Sequence, residues 1–177
     1  MHLKHLCTVP IIEYNKQQLK EKKTTIEINT SKKLADIDLN FLFDYKIFPD
    51  YIMSYLTQWA NENRNIRVGD TIVQQVFIPP LPLFSQKIIF GVRIKEIINE
   101  PNRKGFSYET LKGHVEKGIS IFTAEKQDNG KVIFSIKTFS KPATLFTKVL
   151  GPVFSIPYQT YCTTRALKNV KRLIEVK

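Results

Sequence analysis

The segment from Gln86 to Ile98 constrains the fold most strongly, because its apolar residues alternate with polar ones. Alternate residues of a β-strand point to opposite faces of a sheet, so a regular alternation gives each face its own chemistry. One face of this segment is apolar and the other is basic: Ile88, Phe90, Val92 and Ile94 lie on the first, and Lys87, Arg93 and Lys95 on the second. The pattern predicts a half-buried strand of an antiparallel sheet.

Similar patterns on both sides of this segment predict further strands. They are Thr71–Ile78, Gly105–Leu111, Ile119–Glu125 and Lys131–Phe139, with a possible first strand at Thr24–Ile28. The sequence Asp128-Asn129-Gly130 comes before the last of them and predicts a tight hairpin, because Asn-Gly tolerates the positive φ angles of such turns.

Helical spacing appears in three places. Asp50 is a good N-cap for a helix that ends near Asn61, with Ile52, Tyr55, Leu56 and Trp59 on its apolar face. Ser140 and Pro142 are suited to the first turn of a second helix. The third helix is long and close to the C-terminus, and its apolar residues recur at every fourth position: Phe154, Tyr158, Cys162, Ala166, Val170 and Ile174.

The order of these elements predicts an α+β fold in which a curved antiparallel β-sheet wraps around the long C-terminal helix. A chain of 177 residues is one domain by length. Residues 1–33 are polar and lysine-rich, so we expect an N-terminal extension there and a single domain over 34–177. A strongly curved sheet and a helix do not close completely against each other, which predicts a ligand-sized cavity between them. A core filled by side chains is the alternative.

Inward-facing aromatic residues and nearby hydroxyl groups are the candidate lining of this cavity. The predicted ligand-binding residues are Phe90, Tyr108, Thr110, His114, Phe134 and Tyr158.

The segment from Gly105 to Phe122 contains the best candidates for chemistry. It places His114 and Glu116 between two predicted strands, with Gly113 and Gly118 permitting a sharp connection. A histidine and a glutamate at this spacing predict a catalytic acid–base pair, or a pair that orients a polar ligand. In the alternative, His114 braces the loop through hydrogen bonds to the backbone and Glu116 pairs with a lysine.

The formal charge of +11 comes from 27 Lys and Arg against 16 Asp and Glu. Such a balance attracts anions, but the chain has no zinc-finger spacing and no RNA-recognition signature, so no specific nucleic acid is expected as a partner. The final helix has a basic flank formed by Arg165, Lys168, Lys171 and Arg172. A weak contact with an anionic membrane surface is therefore possible, although a solvated face is the more common role of such residues.

Cysteine content and apolar runs indicate the compartment. Two cysteines do not make a disulfide framework, no eighteen apolar residues run together, and the N-terminus lacks a secretory signal. A cytoplasmic location is expected. His2, His5 and Cys7 are metal-type ligands near the terminus without a partner set elsewhere, so we predict no metal and no cofactor.

The segment Gly105 to Phe122 also resembles the signature of the DUF1990 family, whose members have no known function. The resemblance covers roughly residues 48–173. The positions that carry it are Gly105-Phe106, Tyr108, Thr110-Leu111, Gly113-His114, Glu116, Gly118, Phe122, Phe139-Ser140, Pro142-Ala143, Gly151-Pro152, Gln159 and Tyr161. The chain departs from the family pattern at Glu109, where the family usually has glycine, and at Ile119 and Ser120, where the family has acidic residues.

This resemblance implies a helix-grip fold similar to that of the START/SRPBCC superfamily, with the mouth of the cavity near His114 and Glu116. Members of that superfamily bind lipids, sterols and similar apolar molecules, and a few are cyclases or hydrolases.

Three hypotheses for function follow. The first is a soluble protein that binds a small apolar or amphipathic ligand between the sheet and the C-terminal helix. The second is an enzyme of the same fold, of hydrolase or cyclase type, with His114 as acid or base. The third is a module that contacts a membrane surface or another protein.

Overall fold

The structure is a computed structural model that describes residues 2–78, 86–143 and 156–175. Its helices are α1 (His2–Thr8), α2 (Asn40–Phe43), α3 (Gln58–Asn61) and α4 (Ile156–Glu175). Its strands are β1 (Lys20–Ile28), β2 (Met53–Thr57), β3 (Thr71–Ile78), β4 (Gln86–Glu100), β5 (Arg103–Thr110), β6 (Glu116–Lys126) and β7 (Val132–Pro142). Among these helices, none is long and apolar enough to cross a membrane.

The seven strands form one curved antiparallel sheet in the order β1-β7-β6-β5-β4-β3-β2. Strands β3 to β7 follow one another as neighbours, which confirms the strands predicted from alternation. The predicted hairpin also forms between β6 and β7: Gly130 has a φ of 82° and its N–H donates to Gln127 O at 2.9 Å. A register shift between Ile94 and Glu96 interrupts the pairing of β4 with β5, and such bulges bend and twist a strand.

Helix α4 packs against β1 and β7. Its residues Cys162, Ala166, Val170 and Ile174 are buried, as the period of four predicts, while Phe154 lies outside the described residues. The α+β arrangement of a curved antiparallel sheet around a long C-terminal helix is therefore confirmed.

Tyr45 lies at the centre of the core. Its side chain is fully buried and its ring makes edge contacts with Tyr55 at 5.3 Å, Tyr108 at 6.2 Å and Phe122 at 6.5 Å between centroids. Its φ of 63° is unusual for a residue with a side chain and costs free energy. Aromatic packing and burial offset this strain, because each aromatic residue removes a large apolar area from water.

The helix predicted after Asp50 is wrong. Residues 53–57 form β2, which pairs with β3 from Met53 opposite Val76 to Thr57 opposite Ile72, and only Gln58–Asn61 are helical. The spacing of the apolar residues fits both a helix and a strand followed by one turn. Pairing with β3 satisfies the backbone hydrogen bonds and decides between them.

The helix predicted to begin at Ser140 is wrong at its start. Ser140 pairs with Lys20 and Gly118, and Pro142 pairs with Glu116, so these residues belong to the end of β7. A proline is tolerated there because a strand end does not need every N–H group. The rest of that predicted helix lies within 144–155, outside the described residues.

The possible strand at Thr24–Ile28 is confirmed and is longer than predicted. As β1 it pairs with β7 over nine residues, from Lys20 opposite Ser140 to Ile28 opposite Val132. The division into an extension over 1–33 and a domain over 34–177 stays a prediction.

The chain before β1 lies on the face of the sheet opposite α4, where Arg93 Nη2 donates to Cys7 O at 2.9 Å.

Candidate ligand-binding cavity

A cavity of about 300 Å³ lies between the inner face of the sheet and α4. Its wall is largely apolar and comes from the segment before β2, from strands β1 to β7, and from α4. The main apolar lining residues are Phe48, Ile52, Met53, Val76, Phe90, Phe122 and Ile136. Polar side chains also line the cavity, at its deep end and around its rim.

His114 is held at the rim by the turn that follows β5. Gly113 adopts a φ of 93°, which favours glycine, and His114 N donates to Leu111 O at 3.1 Å. The imidazole ring packs against Phe90 with 4.6 Å between centroids. His114 Nδ1 accepts a hydrogen bond from Glu116 N at 3.0 Å. The turn and this bond fix both the position and the orientation of the ring.

The imidazole is neutral at physiological pH. Burial lowers the pKa of His114 from 6.5 to about 4, because the charged ring loses its hydration. Since Nδ1 accepts the Glu116 N–H, the single hydrogen of the neutral ring lies on Nε2. The ring therefore presents a hydrogen-bond donor through its other nitrogen.

The carboxylate of Glu116 is bonded to α4 and not to the imidazole. Gln159 Nε2 donates to Glu116 Oε1, which joins the start of β6 to the helix. Among the hydrogen bonds of the described residues, the one between His114 and Glu116 involves the backbone amide of Glu116. The two residues predicted to be catalytic are thus neighbours at the rim, and no hydrogen bond joins their side chains among the bonds of the described residues.

Thr110 lies where β5 and β6 separate. Its Oγ1 accepts from Gly118 N at 3.1 Å, so the hydroxyl replaces a missing ladder bond. A Cβ atom at Gly118 would lie 1.9 Å from Phe139 O, so a residue with a side chain does not fit at this position. Thr110 lines the cavity, yet its hydroxyl is already engaged in holding the two strands.

A polar cluster closes the deep end of the cavity. Gln74 is buried, lines the cavity and donates from Nε2 to the Tyr45 hydroxyl at 2.5 Å. Burial raises the pKa of Tyr45 well above its usual value, and the neighbouring Tyr108 raises it further. Neither Tyr45 nor Gln74 was among the residues predicted from the sequence. A glutamine inside an apolar strand was the available signal, because a buried amide requires a partner.

The remaining predicted residues divide into two groups. Phe90, Tyr108 and Tyr158 line the cavity, and the Tyr158 hydroxyl donates to Phe77 O at 2.7 Å, which ties α4 to the end of β3. Phe134 is fully buried in the core, but it does not belong to the cavity lining. Five of the six predicted residues are therefore brought together around one space: Phe90, Tyr108, Thr110, His114 and Tyr158.

Comparison with protein families gives one match over most of the chain. The model described as "Domain of unknown function (DUF1990)" matches residues 40–169. A UPF0548 protein of Deinococcus radiodurans is 38% identical over 61 residues, which are 34% of this chain and 31% of that protein. The chain thus aligns with less than a third of the length of this curated relative.

Solved structures show the same fold at low sequence identity. The KanY protein has a TM-score of 0.58 at 13% identity, with 89% of this chain and 98% of that chain covered. A hypothetical protein from Helicobacter pylori has a TM-score of 0.57 at 13% identity, with 94% and 96% covered. The major latex-like protein 151 of Panax ginseng has a TM-score of 0.53 at 11% identity, with 88% and 97% covered. At these identities the likeness concerns the fold alone.

Proposed function

The chain belongs to the DUF1990 family of domains of unknown function, and on this premise we propose that it binds a small amphipathic molecule in the cavity between the sheet and α4. The observation that carries the proposal is the distribution of polarity inside the cavity. Apolar side chains make up most of its wall, the buried Gln74 and Tyr108 lie at its deep end, and the partly exposed His114 and Glu116 lie at its rim. Binding sites for small molecules commonly combine an apolar wall with a few placed polar groups.

The size of the cavity limits the ligand. A volume of about 300 Å³ lies at the lower end of the range for ligand pockets. The part of a ligand that this cavity encloses is therefore small. A short alkyl chain or one substituted aromatic ring meets this limit, whereas a whole phospholipid does not.

The geometry of His114 supports a role in orienting the ligand. A general base needs an unprotonated nitrogen directed at the substrate, but Nδ1 already accepts from the Glu116 amide. The other nitrogen, Nε2, carries the hydrogen and is suited to donate to a hydroxyl or carbonyl oxygen. The pKa of about 4 also lies well below neutral pH. These features favour a binding protein over the acid–base enzyme.

Native mass spectrometry of freshly purified protein, followed by denaturation and extraction, tests the proposal. We expect a released small molecule in the wild type. Ser120 faces the cavity, so Ser120→Phe fills it and should abolish retention. The adjacent Ile121 points to the opposite face of β6, and Ile121→Phe is the matched control that should keep the molecule. Equal retention by Ser120→Phe and the wild type would contradict binding in this cavity.

Two further expectations stay predictions. The cytoplasmic location rests on the small number of cysteines. Contact with an anionic membrane rests on the exposed basic residues Arg165, Lys168 and Arg172 of α4. Salt-sensitive sedimentation with anionic vesicles measures the second, because interactions between exposed charges weaken as ionic strength rises.

A further inference from the structure

A row of polar residues crosses four strands on the cavity side of the sheet. Lys22 of β1 lies opposite Thr138 of β7, Thr138 lies opposite Ser120 of β6, and Ser120 lies opposite Tyr108 of β5. All four residues line the cavity. Directly opposed residues of neighbouring antiparallel strands have Cβ atoms about 5 Å apart, so the row is continuous from the rim to the interior.

Lys22 places an ammonium group at the outer end of this row. Its Nζ donates to Thr160 Oγ1 of α4 at 2.7 Å, so the charge lies in the gap between the edge strand and the helix. The next residue, Lys23, is exposed because successive side chains of a strand point to opposite faces. One lysine of this basic strand therefore faces the cavity, and its neighbour faces solvent.

The charge of Lys22 has no acidic partner among the described residues. The nearby glutamates of β1 are engaged elsewhere, since Glu21 pairs with Lys137 at 2.8 Å and Glu27 with Lys131 at 2.9 Å. Glu116 lies opposite Pro142, four residues along β7 from Thr138, which is about 13 Å at the usual rise per residue. A cation at the cavity rim without a counter-charge is well placed to attract an anion.

We propose that the ligand of this cavity is a monocarboxylic amphiphile whose carboxylate is bound by Lys22 at the rim, next to the hydroxyls of Thr138 and Ser120. This proposal rests on the proposed function and adds the chemistry of the head group. An ammonium has three donor hydrogens, of which Thr160 uses one, and two are left for a carboxylate. The apolar body then extends inward along Phe122 and Ile136.

Isothermal titration with decanoate, decanol and decylamine at neutral pH tests the head group, because the three probes share one chain length. In the wild type we expect decanoate to bind roughly tenfold more tightly than decanol, since charge-assisted hydrogen bonds are about twice as strong as neutral ones. We expect decylamine to bind most weakly.

Three variants assign this preference to one residue. Lys22→Met should bring the affinity for decanoate down to that for decanol, while Lys22→Arg keeps the charge and should retain the preference. Lys23→Met removes an equal charge from the outer side of the same strand and should change neither affinity. Thermal melts of all variants show that each is folded.

The head-group proposal is overturned if decanoate and decanol bind the wild type equally, or if Lys23→Met lowers decanoate affinity as much as Lys22→Met. Either result leaves binding in the cavity intact. If instead none of the three amphiphiles binds and the purified protein releases no small molecule, the proposed function itself fails.

Discussion

The protonation of His114 makes the stability of the protein depend on pH in a way that one substitution isolates. His114→Asn is the informative change, because the Asn Oδ1 atom takes the place of Nδ1 and can still accept the Glu116 N–H. The variant keeps the bond that braces the turn and loses the titrating group. His2 and His5 are present in both proteins, so their contributions cancel in the comparison.

The sign and size follow from the pKa of about 4 in the folded protein and the usual value of 6.5. As pH falls, His114 of the unfolded chain binds a proton near pH 6.5, whereas His114 of the folded protein binds one only near pH 4. The free energy of unfolding is therefore unaffected by this group above pH 6.5 and decreases between pH 6.5 and pH 4. One pKa unit corresponds to about 1.4 kcal/mol, so the largest decrease in the free energy of unfolding is about 3 kcal/mol. At pH 5 the loss is about 2 kcal/mol.

Urea unfolding of the wild type and His114→Asn at pH 8 and pH 5 measures this contribution. We expect the difference in unfolding free energy between the two proteins to shrink by about 2 kcal/mol at pH 5. In thermal melts this corresponds to a relative shift of about 4–8 °C for a chain of this size.

Two results would refute the reasoning. A difference between the proteins that stays constant from pH 8 to pH 5 would show that burial does not suppress the charge of His114. An NMR titration of the folded protein with a His114 midpoint near 6.5 would show the same directly, and it would reopen the acid–base role at neutral pH.

Three other substitutions or treatments test single features of the structure. Gly118→Ala should destabilise the fold by about 3 kcal/mol in urea unfolding, because its Cβ would overlap Phe139 O; a loss below 0.5 kcal/mol would contradict the tight approach. Tyr45→Phe should cost about 1–3 kcal/mol, because the buried amide of Gln74 loses its partner; unchanged stability would show that water replaces it. Burial raises the pKa of Cys162 to about 11, so iodoacetamide should label this thiol slowly at pH 7.5 in the folded protein and rapidly in urea, as followed by peptide mass spectrometry; equal rates would contradict its burial.

Most of the sheet was predictable from the sequence, because residues that alternate every two positions leave little choice of structure. Strands β3 to β7 and the Asn129-Gly130 turn follow from local patterns. Strand β2 does not, since Ile52, Tyr55, Leu56 and Trp59 fit a helical face equally well. A short apolar segment adopts the structure that its partner strand stabilises, and that partner is distant in sequence.

The site was predictable only in part. Family resemblance and aromatic patterns indicated His114, Tyr108 and Tyr158, but not what each polar atom does. Thr110 and Glu116 were predicted to act on a ligand, whereas their side chains bind Gly118 N and Gln159. Such bonds join residues that are distant along the chain or lie across a sheet, and residue type alone does not reveal them.

The sequence by itself determined the class of fold, an antiparallel sheet with one long apolar-striped helix, because hydrophobic periodicity records which face of each element must leave water. Only the tertiary structure decided the placement of the edge strand β1 beside β7, which turns Lys22 toward the cavity and Lys23 toward solvent. The tertiary structure also places Tyr45 in the core and Phe134 outside the cavity lining. These choices depend on contacts between distant segments, and burial and hydrogen bonding make such contacts favourable only when the whole sheet has formed.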